Sequence, residues 1–172
     1  MRKSPAYIAF EERLKARPSA YTFYAAMRGL EESNPGFPRF SESTSPEQDE
    51  IRVGQFPDLA FPLSDIHSVW QHENSNVPVL NVQFQGLLGS QGALPLHITE
   101  YARERWIHDK DRTFVCFVNL FQHRWFTLFY RAWANAQPVV ALHRKEPSTP
   151  ARVLSSVCGH TVDRLDSPRT QF

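Results

Sequence analysis

The chain is organised around one stretch, Asn119-Leu-Phe-Gln-His-Arg-Trp-Phe-Thr-Leu-Phe-Tyr-Arg-Ala-Trp-Ala-Asn135. It closes an apolar run that begins at Phe114 and contains neither Gly nor Pro. The run is longer than a single β-strand usually is. The sequence therefore predicts one long α-helix here.

Apolar side chains occur on both sides of this predicted helix. At about 100° per residue, one stripe is formed by Phe114, Phe121, Trp125, Leu128 and Ala132, with Val118 and Phe129 beside it. The opposite side carries Asn119, His123 and Thr127 together with Phe126 and Tyr130. We expect neighbours on both sides and place the stripe in the core. A buried Trp125 implies that Trp125→Ala costs roughly 3–5 kcal/mol.

Five residues of the helix are candidates for stabilising the core or an interface: Arg124, Trp125, Tyr130, Arg131 and Trp133. An Arg at the edge of an apolar stripe lays its stem on the stripe and pairs its guanidinium with a carboxylate. Arg, Trp and Tyr are also enriched in protein interfaces. The helix thus favours a function in assembly.

Composition limits the classes of function. The chain has 172 residues, which suits one domain with an irregular tail, and 13% of them are aromatic. Its 19 basic residues nearly balance its 18 acidic ones, so the chain lacks the excess of positive charge that is typical of proteins that bind nucleic acid or an anionic membrane. No apolar run has the length of a membrane span, and the N-terminus lacks a signal-peptide core. These features predict a cytoplasmic protein without membrane insertion.

The remaining segments predict an α+β fold in which aromatic-rich helices pack on a small mixed or antiparallel sheet. Helices are predicted over 6–16, 19–32 and 96–106, and strands over 51–56, around Val69-Trp70, and over 77–84. Residues 1–145 form the main region. Residues 146–172, rich in Pro, Ser, Thr and Arg, are predicted to be an irregular, poorly ordered tail.

No recognisable catalytic pattern is present, and no cofactor or metal is expected. The loop Gly86–Gly92 lacks the ending of a Walker motif, and its glycines indicate a turn that needs unusual backbone angles. An alternative reading is a small metal-dependent hydrolase that uses His97 and His123 with a carboxylate such as Glu100. Surface or hydrogen-bonded core histidines are the simpler interpretation of those residues.

Several blocks of sequence, in one order, resemble the TssG family (also called VasB or ImpH) of type VI secretion baseplate proteins. The resemblance spans roughly residues 20–145, and its blocks are Phe23–Glu31, Pro38–Ser43, Glu50–Phe56, Leu59–Ile66, Phe84–Glu100 and Asn119–Trp133. It implies a structural, non-enzymatic component of the baseplate wedge, at the cytoplasmic face of the inner membrane. Such a component supports assembly of the tail tube and the contractile sheath.

The resemblance also implies partners. TssF is the expected direct partner, and TssE and TssK are the other baseplate components. Family members are longer, and the resemblance ends soon after Arg144. It therefore places the segments that contact TssK outside this chain. A truncated, non-functional remnant is the remaining alternative.

Overall fold

A computed structural model describes residues 4–36, 38–43, 49–71, 77–143 and 149–159, with the backbone alone for 141–143 and 149–152. A short 3-10 helix occupies Pro18–Ala20. The other elements, in chain order, are α1 (Pro5–Ala16), α2 (Phe23–Ser33), β1 (Arg52–Gln55), β2 (Ile66–Gln71), β3 (Pro78–Val82), α3 (Leu96–Ile107), α4 (Thr113–Ala136), α5 (Pro138–His143) and α6 (Thr149–Val157). The predicted α+β class is confirmed.

The sheet has three strands in the order β1-β3-β2. β1 runs parallel to β3, with Val53 opposite Leu80, and β2 runs antiparallel to β3, with Val69 opposite the same Leu80. The sheet is therefore mixed. β3, which has the clearest alternating pattern in the sequence, is the central strand, and β1 is left as an edge.

Local capping fixes where the first two helices begin. The hydroxyl of Ser4 accepts a hydrogen bond from the Tyr7 amide at 3.0 Å, and Thr22 caps α2 by accepting from the Ala25 amide. The carboxylate of Asp65 accepts from the Phe23 amide at 3.0 Å. The start of α2 is thus fixed to the segment that leads into β2.

The main core lies between one face of the sheet and the helices α1, α2 and α4. Its fully buried apolar residues include Tyr7, Leu14, Phe23, Met27, Leu30, Ile51, Ile66, Leu80, Val82 and Phe126. The ring of Phe84 lies 5.1 Å from that of Phe23 and 5.7 Å from that of Phe126. A second apolar cluster joins the glycine-containing loop, α3 and the first half of α4 through Leu88, Ala102, Val115 and Val118.

The prediction that the stripe of α4 lies in the core is wrong for most of the stripe. Phe121, Trp125 and Leu128 are exposed, whereas Phe126 and Tyr130, on the side that carries the polar residues, are buried. Apolar periodicity alone does not distinguish the two sides, because both sides carry aromatic residues. The hydrogen bonds of α4 to β1, described below, decide which side faces inward.

A second compact unit begins at Arg131 and contains the end of α4, α5 and α6. Within it, α5 and α6 contact each other. The range predicted as an irregular tail includes α6, and residues 146–148 and 160–172 of that range lie outside the described residues. The division at residue 145 stays a prediction.

Candidate interaction surface on the long helix

Two side chains of α4 bind the free edge of β1. The amide of Val53 donates to Nδ1 of His123 at 3.1 Å, and the amide of Gln55 donates to Oδ1 of Asn119 at 3.0 Å. Alternate amides of a strand lie about 6.6 Å apart, and residues four apart on a helix lie about 6 Å apart along its axis. Because the two spacings match, Asn119 and His123 together bind two backbone amides at the free edge of β1. These hydrogen bonds also fix the rotation of α4 about its axis.

The second nitrogen of His123 is also engaged. Since Nδ1 accepts a hydrogen bond, Nε2 carries the proton and donates to the Asp49 carboxylate at 3.1 Å. Ser43 donates to the other oxygen of Asp49 at 2.6 Å. Burial raises the pKa of Asp49, but the hydrogen bonds from His123 and Ser43 and the charges nearby outweigh it, so the pKa lies below its usual range. His123 therefore has a structural function in this fold.

The glycine-containing loop is bound to the side chain of Gln55, which is buried. Gln55 accepts from the Leu88 amide at 2.8 Å, donates to the Leu88 carbonyl, and accepts from Gln122 of α4 at 3.1 Å. A Cβ on Gly86 would lie 2.0 Å from the amide oxygen of Gln55, so a larger residue there would displace the Gln55 side chain and break its hydrogen bonds to Leu88. Gly89 has a φ of 106°, which confirms the predicted unusual backbone angle.

With α4 fixed in this rotation, an apolar stripe of its surface is left exposed. We call this stripe the ridge; it consists of Phe117, Leu120, Phe121, Trp125 and Leu128. These side chains are between 42% and 65% exposed. From Phe117 to Leu128 the ridge is about 16 Å long at 1.5 Å per residue. The rings of Phe117 and Phe121 contact each other edge to face, with centroids 5.4 Å apart.

A groove lies on each side of the ridge. One, of about 540 Å³, is lined by Leu87, Gln91 and Ala93 of the glycine-containing loop and by Phe121 and Trp125. The other, also of about 540 Å³, is lined from the sheet by Trp70, Val77 and Val79 and from α4 by Cys116 and Leu120. The groove on the sheet side is also lined by the polar residues Asp49, Arg52, Asn119 and His123. An apolar ridge between two largely apolar grooves is a surface into which side chains of another protein can pack.

One charged side chain emerges within the ridge. At about 100° per residue, Arg124 lies between Leu120 and Leu128. Its side chain is exposed, and Nη1 donates to the Ser41 carbonyl at 2.8 Å. Over its 24 residues α4 contains Arg124 and Arg131 but no Asp or Glu. The ridge is thus apolar with a positive charge near its middle.

The five residues singled out in the sequence lie in different environments. Trp125 and Arg124 belong to the exposed surface, which corrects the expectation of a buried Trp125. Tyr130 is buried and donates from its hydroxyl to the Glu31 carboxylate at 2.8 Å. Arg131 and Trp133 are half-buried in the second unit. Their participation in an interface stays a prediction.

The geometry does not favour the hydrolase alternative. His97 and Glu100 are exposed on α3, while His123 binds β1 and Asp49 through its two ring nitrogens. Within the described ranges, no group of three or more potential metal ligands occurs. In the same part of the chain, no helix is both long enough and apolar enough to cross a membrane.

Hydrogen bonds connect the sequence blocks of the family resemblance to one another. Asn119 and His123 bind the block Glu50–Phe56, and Arg124 binds Ser41 in the block Pro38–Ser43. Gln55 binds the block Phe84–Glu100 through Leu88. Asp65 binds the start of α2, and Glu31 in α2 accepts from Tyr130 of the block Asn119–Trp133. The blocks therefore form one connected structure.

Comparison with protein-family models agrees with this arrangement. The model described as "Type VI secretion, TssG" matches residues 17–171. The chain belongs to the TssG family. It is thereby a baseplate component of the type VI secretion system. The family match extends past residue 145 and covers most of the range that the sequence predicts to be a tail. Neither the comparison with curated proteins nor that with solved structures gave a match.

Three polar residues, Asn119, His123 and Gln55, have functions that the sequence pattern does not predict. Asn119 and His123 were placed opposite the stripe, but their spacing of four residues was not connected with the strand at 51–56. Gln55 was treated only as part of that strand. The sequence does contain a sign of this contact, which is an amide and an imidazole four residues apart on an otherwise apolar helix. Two hydrogen-bond acceptors at that spacing can bind alternate backbone amides at the edge of a strand.

Proposed function

We propose that this TssG family chain is a structural subunit of the baseplate wedge that assembles with TssF. In this function it supports assembly of the tail tube and sheath at the cytoplasmic face of the inner membrane, without catalysing a reaction. TssE and TssK are further components of the same baseplate. The proposal assigns the ridge of α4 to the contact with TssF.

The exposed ridge is the observation that carries this proposal. Its three aromatic side chains each expose more than half of their surface, which amounts to roughly 300–400 Å² of aromatic surface. With Leu120 and Leu128 added, the ridge is as large as the largest apolar patch of a typical monomer. Covering this surface with a partner removes it from water, and aromatic residues of this kind dominate the energetics of interfaces.

Co-purification with TssF tests the proposal. The chain and the TssF encoded alongside it are produced together, and the complex is isolated through a tag on TssF. A stable complex of defined mass is expected for the unaltered chain. The double variant Phe121→Ser/Trp125→Ser is expected to reduce the amount of bound chain at least tenfold.

A matched control is available on α1, where Ile8 is an exposed apolar residue outside the ridge. Ile8→Ser is expected to leave the complex unchanged. The melting temperature of each variant shows that it folds. If the folded double variant binds TssF as the unaltered chain does, the ridge is not the contact surface. If the unaltered chain does not bind TssF, the assignment of the partner is wrong.

A further inference from the structure

Arg124 limits what can cover the ridge. It emerges between Leu120 and Leu128, so a partner that packs on these leucines also removes the Arg124 guanidinium from water. One of its nitrogens donates to Ser41 at 2.8 Å, which leaves the other donors to be satisfied at the interface. A charge that is desolvated without a partner is strongly unfavourable, and the planar guanidinium pairs best with a carboxylate.

Among the described residues that form the ridge and line its two grooves, no carboxylate meets this need. α4 contains no acidic residue, and the residues that line the groove beside the glycine-containing loop are uncharged. In the groove on the sheet side, Asp49 is hydrogen-bonded to His123 and Ser43. Among the described residues that form the ridge and line its grooves, Arg124 therefore offers a positive charge, and the carboxylate of Asp49 already accepts two hydrogen bonds.

A second copy of this chain is a poor occupant. Measured along the axis of α4, the midpoint of the ridge lies between residues 122 and 123. Arg124 therefore lies close to the midpoint. In a twofold pairing each copy presents the same patch, so the two Arg124 side chains would meet near the axis. Like charges that are brought together in a desolvated interface disfavour the association.

We propose that the ridge binds an amphipathic helix of a different protein, and that this helix places an Asp or Glu carboxylate against Arg124. The apolar side chains of this helix, which recur at helical spacing, pack against the ridge and into the two grooves, as in other helix-in-groove contacts. The ion pair selects this helix over apolar segments that lack a carboxylate. This inference rests on the proposed function only in taking the partner to be another baseplate protein.

Site-specific photo-crosslinking in cells that produce the whole baseplate tests the inference. Benzoylphenylalanine replaces Phe121, and the cross-linked peptide is identified by mass spectrometry. The expected adduct is a peptide of another protein with apolar residues at helical spacing and an Asp or Glu within one turn of the cross-linked position. In an Arg124→Glu background the yield of this adduct is expected to fall at least tenfold.

Two further variants separate loss of the ion pair from loss of folding. Arg124→Met keeps an apolar stem without the charge, and its yield is expected to fall as well, because the carboxylate of the partner is left unpaired. Arg17→Glu makes the same change of charge at the exposed end of α1 and is expected to leave the yield unaltered. Exchanging the identified carboxylate for Arg is expected to restore cross-linking of the Arg124→Glu chain.

The outcomes distinguish this inference from the proposed function. An adduct with TssF that depends on Arg124 supports both. An adduct with an acidic helix of another baseplate protein, equally dependent on Arg124, supports the inference and contradicts TssF as the partner at this surface. The inference is overturned by an adduct between two copies of this chain, by the absence of any adduct, or by a yield that Arg124→Glu leaves unaltered.

Discussion

The two faces of α4 are both rich in aromatic residues, yet they differ in what their polar residues do. The inward face interleaves Phe126 and Tyr130 with Asn119 and His123, and the latter two bind β1. On the ridge, the side chain of Arg124 is exposed, and its guanidinium donates to the carbonyl of the loop residue Ser41 instead of to the sheet. The polar residues therefore determine which apolar face of this helix is buried, because their hydrogen bonds require defined partners.

The largest expected effect compares neighbouring aromatic residues on the two faces. Phe126 is fully buried, so Phe126→Ala is expected to lower the free energy of unfolding by roughly 3–5 kcal/mol. Trp125→Ala is expected to lower it by no more than roughly 2 kcal/mol, because more than half of the side chain is already exposed to water. Denaturant unfolding of both variants measures this comparison, and equal losses would show that the two faces are not distinguished as described.

The next effect concerns binding. Trp125→Ala is expected to weaken association with TssF by about 2 kcal/mol, which is typical of a central aromatic residue in an interface. Titration calorimetry with purified TssF measures the change, and Ile8→Ala on α1 provides the control. A loss of stability without a loss of affinity would reverse the functions assigned to the two faces.

A smaller effect is expected at the edge of β1. Asn119→Ala removes the acceptor for the Gln55 amide and is expected to cost about 0.5–1.5 kcal/mol of stability, because this hydrogen bond is partly buried. Asn119→Asp retains an oxygen in the same position and is expected to preserve most of that stability. If Asp and Ala were equally destabilising, the hydrogen bond to β1 would not be what fixes α4.

The smallest effect depends on pH through Asp49. Its folded-state pKa is depressed, chiefly by hydrogen bonds that outweigh the effect of burial. Its contribution to stability is therefore fully present above the unfolded pKa of about 3.9 and is lost as the pH falls through the lower folded pKa. Asp49→Asn is expected to flatten the stability profile in this acid range. Parallel profiles for the unaltered chain and Asp49→Asn would contradict this account.

Sequence patterns predicted the elements of the fold better than their contacts. The alternation in residues 77–84 predicted β3, and the uninterrupted run from Phe114 predicted α4, because each depends on a local period. The inward face of α4 depends instead on Gln55 and Val53, which lie more than sixty residues away in the chain. A local period carries no information about such contacts, so Phe121 and Trp125 were predicted in the core.

The candidate surface was predicted in part. Arg124 and Trp125 were selected because such residues are frequent in interfaces, and both lie on the exposed surface. Tyr130 was selected for the same reason but is buried against Glu31. Composition identified a helix suited to assembly, whereas the position of each residue required the rotation that Asn119 and His123 impose.

Hydroxyl-radical footprinting of the chain, alone and in complex with TssF, tests the central claim most directly. The free chain is expected to be oxidised at Phe117, Phe121 and Trp125 and protected at Phe126 and Tyr130. In the complex the three ridge residues are expected to become protected, while the two buried residues remain so. Ridge residues that are protected in the free chain, or that stay equally reactive in the complex, would contradict the claim that this face of α4 is the docking surface.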